Sequence, residues 1–555
     1  MMSKSALLTQ DEDAYSKRDL VFPKLTQEQV DRSLVYGRIE HYRSGDTIYA
    51  RGTRGVDFLI VLRGNVLVTG VSPEGGESIV ILHDPREFTG ELDLFSHREA
   101  LVNVRAATDT DVLRIPRNRF REYVSSEIDI SNIIMRAAIL RRLGLVQHMQ
   151  VGVTVAGPGR AAATLRLEQF LSRNGYPYRL VDTETDSEAK EFLQGFSITS
   201  ADLPVVISPT EVYRNPDLPF LADALGITEE IESDEVFDVA VVGAGPAGLA
   251  ASVYAASEGL KTIVIEGNAP GGQAGTSSRI ENYLGFPSGI SGLELASRAQ
   301  TQAQKFGARL AVSRNVTHLD CSSIPFTLTL DETHVVRARA VVVATGARYR
   351  KLDVNNYARF EMEGLHYSAT AIEARLCSEE EVIVVGGGNS AGQAAVYLSG
   401  YARHVHMLIR GAELASTMSD YLVHRIASSR KISLHVRSEI TALHGEERLE
   451  QVTWINRDTG DETTAKIANV FVMIGADPCT DWLSDCVALD EKGFVHTGLQ
   501  DHTGGSGLYR TSKPGIFAVG DVRSGSVKRV ASGVGEGSVV VADLHNYLKD
   551  LPSIQ

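Results

Sequence analysis

Twice in this chain a run of apolar residues ends in a glycine-rich turn that opens a small-residue helix, and no other feature constrains the fold as strongly. The first case is FDVAVVGAGPAGLAASVYAASEGLKTIVIE, with Gly243, Gly245 and Gly248 between a strand and a helix and Glu266 ending the next strand. Glycine lets the backbone turn and approach a pyrophosphate at the helix N-terminus, where amides and the helix dipole favour an anion, while the terminal carboxylate accepts ribose hydroxyls. A lone GxGxxG is merely a tight turn; here strand, helix and acid accompany it. The second case is EVIVVGGGNSAGQAAVYLSG, where Gly386, Gly388 and Ala391 repeat the design around Asn389 and Ser390. The strand that follows, HVHMLIRG, ends in Arg410 in place of an acid. An arginine there pairs with a 2′-phosphate and favours NADP over NAD, the alternative being a solvated surface arginine.

At roughly 100–200 residues per domain, 555 residues imply several domains. With 55 Lys and Arg against 70 Asp and Glu, the net charge of -15 argues against a general affinity for nucleic acid. Val239 to Ser257 carries no charge and has the length of a membrane helix, yet its glycines and proline read as strand, turn and helix, so no membrane span is expected. The four cysteines, 321, 377, 479 and 486, suggest neither a disulfide framework nor a zinc site, and no metal is expected. With no apolar leader in the opening residues, a cytoplasmic location is expected.

The chain divides into a multidomain order. Residues 1–145 show short alternating strands between glycine turns, closed by helices, and read as an antiparallel β-barrel. Residues 148–228 alternate strand and helix as a small α/β layer. An acidic stretch at 229–235, with Glu229, Glu230, Glu232, Asp234 and Glu235, reads as a solvated linker. Two Rossmann-like α/β domains follow, the second inserted in the first: 236–350 and 475–555 for the first dinucleotide, 351–474 for the second.

This arrangement resembles the two-dinucleotide flavoprotein reductases, and low-molecular-weight thioredoxin reductase in particular, over about Val236 to Leu548. The resemblance implies FAD on the first domain and NADPH, less readily NADH, on the second. GGQAGTSSRIENYLGFP resembles the flavin-contacting loop and implicates Gly272, Gln273 and Asn282. VVVATGARYR brings in Thr345 and Gly346, and GIFAVGDVRSGSVKRVASGVGEG resembles the closing FAD segment, with Gly520, Asp521, Arg529 and Val530. It also implies a homodimer. In thioredoxin reductases two cysteines flank an Ala-Thr before the second glycine turn; here those positions hold Ala369 and Ile372. The family's NADPH stretch of basic residues becomes Ile409, Arg410, Gly411 and Ala415. Cys377 reads as a core cysteine. His366, near the lost dithiol in GLHYSAT, reads as a solvated interdomain residue, the alternative being a histidine that approaches the flavin.

Residues 22–143 resemble the cyclic-nucleotide-binding barrel. Gly45, Gly52, Asp57 and Gly64 fall on its turns, and Gly90, Glu91 and Leu92 match the start of the phosphate cassette. The cassette's arginine position holds Ala100, Arg98 lies two residues early, and Asp93 adds a carboxylate. A barrel with lost or altered nucleotide specificity is the expectation. Residues 151–227 resemble a glutaredoxin-like thioredoxin fold in which Pro158, Gly159, Arg160 and Ala161 stand where its dithiol would be, and Pro204 is the candidate cis-proline.

The expected function is therefore an FAD-dependent NAD(P)H oxidoreductase without its own dithiol, passing electrons to a ferredoxin- or flavodoxin-like carrier or a small molecule. Two alternatives stand beside it: an atypical thioredoxin-disulfide reductase using Cys377, Cys479 or Cys486, and a non-catalytic flavin or nucleotide sensor.

Overall fold

The computed structural model describes residues 18–71, 76–90, 98–148, 152–187, 189–208, 211–229, 231, 235–332, 334–446, 448–483, 486–498 and 507–551. The chain forms two compact units. The first comprises 1–158, 170–231 and 300–314, and the second 159–169, 232–299 and 315–555.

The first unit begins with two four-stranded antiparallel sheets. One orders Arg38–Tyr42, Thr110–Ile115, Phe58–Arg63 and Phe88–Thr89; the other orders Thr47–Tyr49, Asn103–Ala106, Val66–Val71 and Glu77–His83. Phe58, Leu59, Ile60 and Val61 are all fully buried, and successive residues serve two different cores. Phe58 and Ile60 join Phe88, Phe120 and Tyr123, whereas Leu59 and Val61 join Val66, Val68 and Val112. This follows from the two-residue period of a strand covered on both faces. Gly64 and Gly90 hold turns only glycine fills: both have positive φ, and a Cβ on either would stand 2.4 Å from a backbone oxygen, of Asp109 and Asp57 respectively. Helices Arg117–Ser126 and Ile128–His148 follow.

Next comes a four-stranded sheet in the order Tyr178–Asp182, Val153–Gly157, Val205–Ile207 and Val212–Arg214. The first pair is parallel and the others antiparallel, the connectivity a glutaredoxin-like fold requires. The Leu203–Pro204 peptide is cis, as the resemblance implies. At its ends the acidic stretch is half-buried. Glu229 is bonded through its amide to Leu310 O and lies 3.5 Å from Arg309, and burial pushes its carboxyl up. Glu235 pairs with Lys261 at 3.2 Å. Local charge density marked this segment as linker, but the partners that cover these two carboxylates are distant in sequence.

In the second unit, strand Val236–Val242 lies parallel to Thr262–Glu266 on one side and to His334–Val343 on the other. His334–Val343 also pairs in parallel with Ile516–Ala518, which returns from the far end of the chain. The inserted domain is a parallel sheet ordered Leu365–His366, Val470–Val472, Glu381–Val385, His404–Leu408 and Ile432–His435, with an antiparallel meander of strands Ser438–His444, Gln451–Asn456 and Glu462–Ala465 coming before Val470–Val472 in the chain. Entry and exit strands of the insertion, Ala347–Tyr349 and Ala476–Pro478, pair antiparallel with each other.

The returning segment is held by helix Val530–Lys549 against helix Pro246–Ser257. A Cβ at Gly537 would lie 2.2 Å from the Ala247 carbonyl oxygen, and Gly533 also faces Ala247. The helices approach backbone to backbone because both contact faces are made of glycine and alanine. Gly537→Ala should force them apart and destabilise the protein by about 1–3 kcal/mol. A lowered melting temperature together with reduced flavin retention after purification would report it.

Candidate functional site

The first glycine turn is built as its sequence requires. Gly243 has φ +102, and a Cβ there would meet Ala344 O at 2.4 Å; one at Gly248 would meet Gly243 O at 1.9 Å. Gly245 is the N-cap of helix Pro246–Ser257 and offers no side-chain cap, which leaves the first-turn amides open to an anion. Glu266 sits beside the turn, its Oε2 accepting from Ala244 N at 2.8 Å and its Oε1 from Asn268 N at 3.0 Å. Gly272, with φ +54, comes so near that a Cβ would be 3.0 Å from Gly245 Cα. Gln273 donates to Ala347 O, and Asn282 is exposed. Thr345 donates to Cys479 O at 2.7 Å, and Gly346 has φ +65. On the returning segment Gly520 approaches Ala247, and burial pushes the Asp521 carboxyl above its usual range. Arg529 is the exposed N-cap of the last helix, with Val530 half-buried behind it. Thus a glycine cradle, an uncapped helix start and a carboxylate at the end of the second strand come together, and the set fits an adenine dinucleotide such as FAD.

Sequence reasoning missed the pair that holds the returning segment. Glu536 accepts from Gly520 N and from Arg523 Nη2, the latter at 2.7 Å. Its signal was slight, a buried acid within an otherwise small-residue helix.

The second turn repeats the first. Gly386, with φ +137, would place a Cβ 2.2 Å from Met473 O, and Gly388 is the uncapped N-cap of helix Asn389–Leu398. Asn389 Oδ1 accepts from Ser419 N at 2.7 Å, and Ala391 is fully buried. Arg410 is exposed just beyond strand His404–Leu408, at the strand end where a 2′-phosphate partner is expected. Tyr349, which sequence reasoning did not single out, has Ser390 of the second turn and Asp521 of the returning segment among the groups that act on its hydroxyl. Burial pushes its hydroxyl above the ordinary tyrosine range.

Ala369 and Ile372 both belong to the hydrophobic core of the inserted domain. Cys377 caps helix Ala371–Leu376, is fully buried, and has its thiol pushed up by burial. Cys479 is half-buried and shifted the same way by burial. Contrary to the expectation of no disulfide, Cys321 and Cys486 are bonded to each other, with Cα atoms 6.1 Å apart and 165 residues between them in sequence. His366 is not solvated. It is 2% exposed, and its Nε2 lies 2.9 Å from Asn469 Oδ1.

At the barrel, Gly90 is buried at its turn, while Glu91, Leu92 and Asp93 lie outside the described residues. Arg98 is buried, donates to Asn174 O at 2.8 Å and lies over the Tyr176 ring. Arg51 and Arg54 likewise donate to main-chain oxygens, of Gly152 and Ala224. Arg98 therefore serves the neighbouring module in this unit.

A family model described as pyridine nucleotide-disulphide oxidoreductase matches residues 237–537, and a cyclic nucleotide-binding domain matches residues 39–127. Thioredoxin reductase of Mycolicibacterium smegmatis is 34% identical over 319 residues, covering 57% of this chain and 98% of that protein. The corresponding figures for the Bacillus subtilis thioredoxin reductase are 30% over 322 residues, 58% and 98%. NADPH-dependent thioredoxin reductase 3 of Arabidopsis thaliana is 32% identical over 318 residues; this chain spans only 58% of its length. Among solved structures, thioredoxin reductases from Lactococcus lactis and T. acidophilum match 57% of this chain and all of theirs, with TM-scores of 0.52 and 0.53 and identities of 28% and 29%. Among the described residues no helix is long and apolar enough to cross a membrane.

Burial pushes the His366 imidazole below its usual range, against the opposing pull of Glu373, Asn469 and Glu363. The folded chain keeps it neutral, whereas the unfolded chain takes a proton near pH 6.5. Stability is therefore complete above that value and is lost as pH falls toward the lowered folded value, by up to about 1.4 kcal/mol per pH unit. Melting temperature should drop between about pH 7 and 5, and His366→Gln, which keeps an amide bond without titrating, should flatten that slope.

Proposed function

The chain belongs to the pyridine nucleotide-disulphide oxidoreductase family, as an FAD-dependent NAD(P)H oxidoreductase, and we propose that it delivers electrons from NADPH to an acceptor other than a dithiol of its own. FAD, when bound, supplies a two-electron store that accepts hydride from a nicotinamide and releases electrons to an acceptor. The chain's own residues bind and orient. The amides after Gly245 and the Glu266 carboxylate would hold the pyrophosphate and a ribose of FAD, and the amides after Gly388 with Arg410 would hold the pyrophosphate and 2′-phosphate of NADPH.

The observation that carries the reading is the character of positions 369 and 372. They hold an alanine and an isoleucine in a hydrophobic core, beside a Cys377 whose raised thiol is a poor nucleophile. Thioredoxin-disulfide reduction is the second reading, favoured by the names of the relatives; it would have to use Cys479 or the Cys321–Cys486 pair. A docked one-electron carrier or a small molecule is the acceptor in the first reading. The reading also includes a nucleotide ligand for residues 39–127, supported by the family match there, a homodimer, and a cytoplasmic location.

An anaerobic titration with NADPH and, separately, NADH tests the central step. NADPH should bleach the flavin absorbance in preference to NADH, and Arg410→Ala should weaken NADPH by roughly tenfold or more while leaving NADH unchanged. If neither donor bleaches a flavin that dithionite reduces, the sensor reading replaces this one. Turnover of a protein disulfide that disappears in Cys486→Ser would favour the second reading.

A further inference from the structure

Residues 159–169 fall in the second compact unit, with the two dinucleotide domains, although the strand before them belongs to the first. What they touch is specific. Leu165, 2% exposed, joins the core cluster that contains Ala369, Ile372, Leu376 and Cys377. Glu168, whose side chain is 0% exposed, receives both Arg375 Nη1 and Nη2, at 3.2 and 2.6 Å. Gln169 Nε2 donates to Glu373 Oε1 at 2.7 Å. At the start of helix Ala162–Arg173, the Ala162 amide donates to Glu363 Oε1 at 2.7 Å, and Arg160 lies 3.4 Å from Glu380. The charges are complementary throughout. A helix start and an arginine meet two acids, and a buried acid meets an arginine as a bidentate pair.

The two partners are the two places where thiols are missing. Arg160 and Ala161 stand at the dithiol position of the glutaredoxin-like module, while Ala369 and Ile372 stand at that of the reductase. We propose that residues 159–169 are the built-in occupant of this face of the inserted domain, so that no outside disulfide protein is admitted there. A carboxylate buried to this degree is tolerated only with its partner in place, and the paired Glu168 and Arg375 therefore specify this occupant over an unrelated helix. The inference goes beyond the proposed electron transfer, and its test uses neither NADPH nor turnover, so the two fail independently.

The probe is a thiol in the core cluster that Leu165 joins, Ala369→Cys, in the full-length flavin-loaded protein carrying Cys377→Ser and Cys479→Ser. Its rate of reaction with the aromatic disulfide DTNB is measured. In the otherwise unchanged chain it should react slowly. Glu168→Ala should raise the rate by roughly tenfold or more, because Arg375 loses its partner and the contact opens. Ala162→Pro is the companion variant: proline is well accepted at the first helical position, so the helix survives while the donor to Glu363 is lost. It too should raise the rate, with flavin retained. An introduced thiol that reacts as fast as an exposed one in the otherwise unchanged chain would overturn the proposal, as would one accelerated by neither variant.

Discussion

The close crossing of helices Pro246–Ser257 and Val530–Lys549 is the constraint on which the second unit depends. The insertion separates the first dinucleotide domain into two pieces, and the returning piece contributes a single short strand, Ile516–Ala518, to the sheet. Three residues of ladder are a weak hold for a segment that must also place Asp521. The hold comes from the helix pair, whose glycines allow main-chain approach at Ala247, and from Glu536, which ties Gly520 and Arg523 to that helix. Dispersion over a close helix contact and charge-assisted bonds to the turn together fix where the closing segment meets the cradle.

The parts legible in the sequence are those whose physics is local. Gly243 and Gly386 hold positive φ in their turns, Gly248 meets the Gly243 carbonyl oxygen within the same turn, and strand, turn and helix follow one another without interruption. The alternation of strand and helix over residues 153–214 was legible for the same reason, since short alternating elements leave few connections. The misses are contacts across long separations. The Cys321–Cys486 bond spans 165 residues, and no spacing rule pairs them. His366 read as solvated, yet it is buried and its hydrogen-bond partner, Asn469, lies 103 residues away in the chain. Glu229 read as linker charge until Arg309 came beside it.

A common pattern runs through the two accessory modules. Where the resemblances place chemical groups, this chain has kept the scaffold and put the side chains to structural use. Arg98, near the expected phosphate partner, donates to a main-chain oxygen and covers a tyrosine ring. Arg160, at a vanished dithiol, forms an ion pair with Glu380. In both cases the partner of the arginine is protein.

The entry and exit strands of the inserted domain have a mechanical consequence. Ala347–Tyr349 and Ala476–Pro478 run antiparallel, and further bonds from Arg350 N to Gly475 O and from Cys479 N to Gly346 O extend their ladder at either end. The inserted domain is thus tethered by one two-stranded ribbon and not by two separate cords. Neither strand can be displaced alone without breaking its bonds to the other, so the two crossings of the chain between the domains act as one. Thr345, bonded to Cys479 O, adds a side-chain bond at the foot of the ribbon.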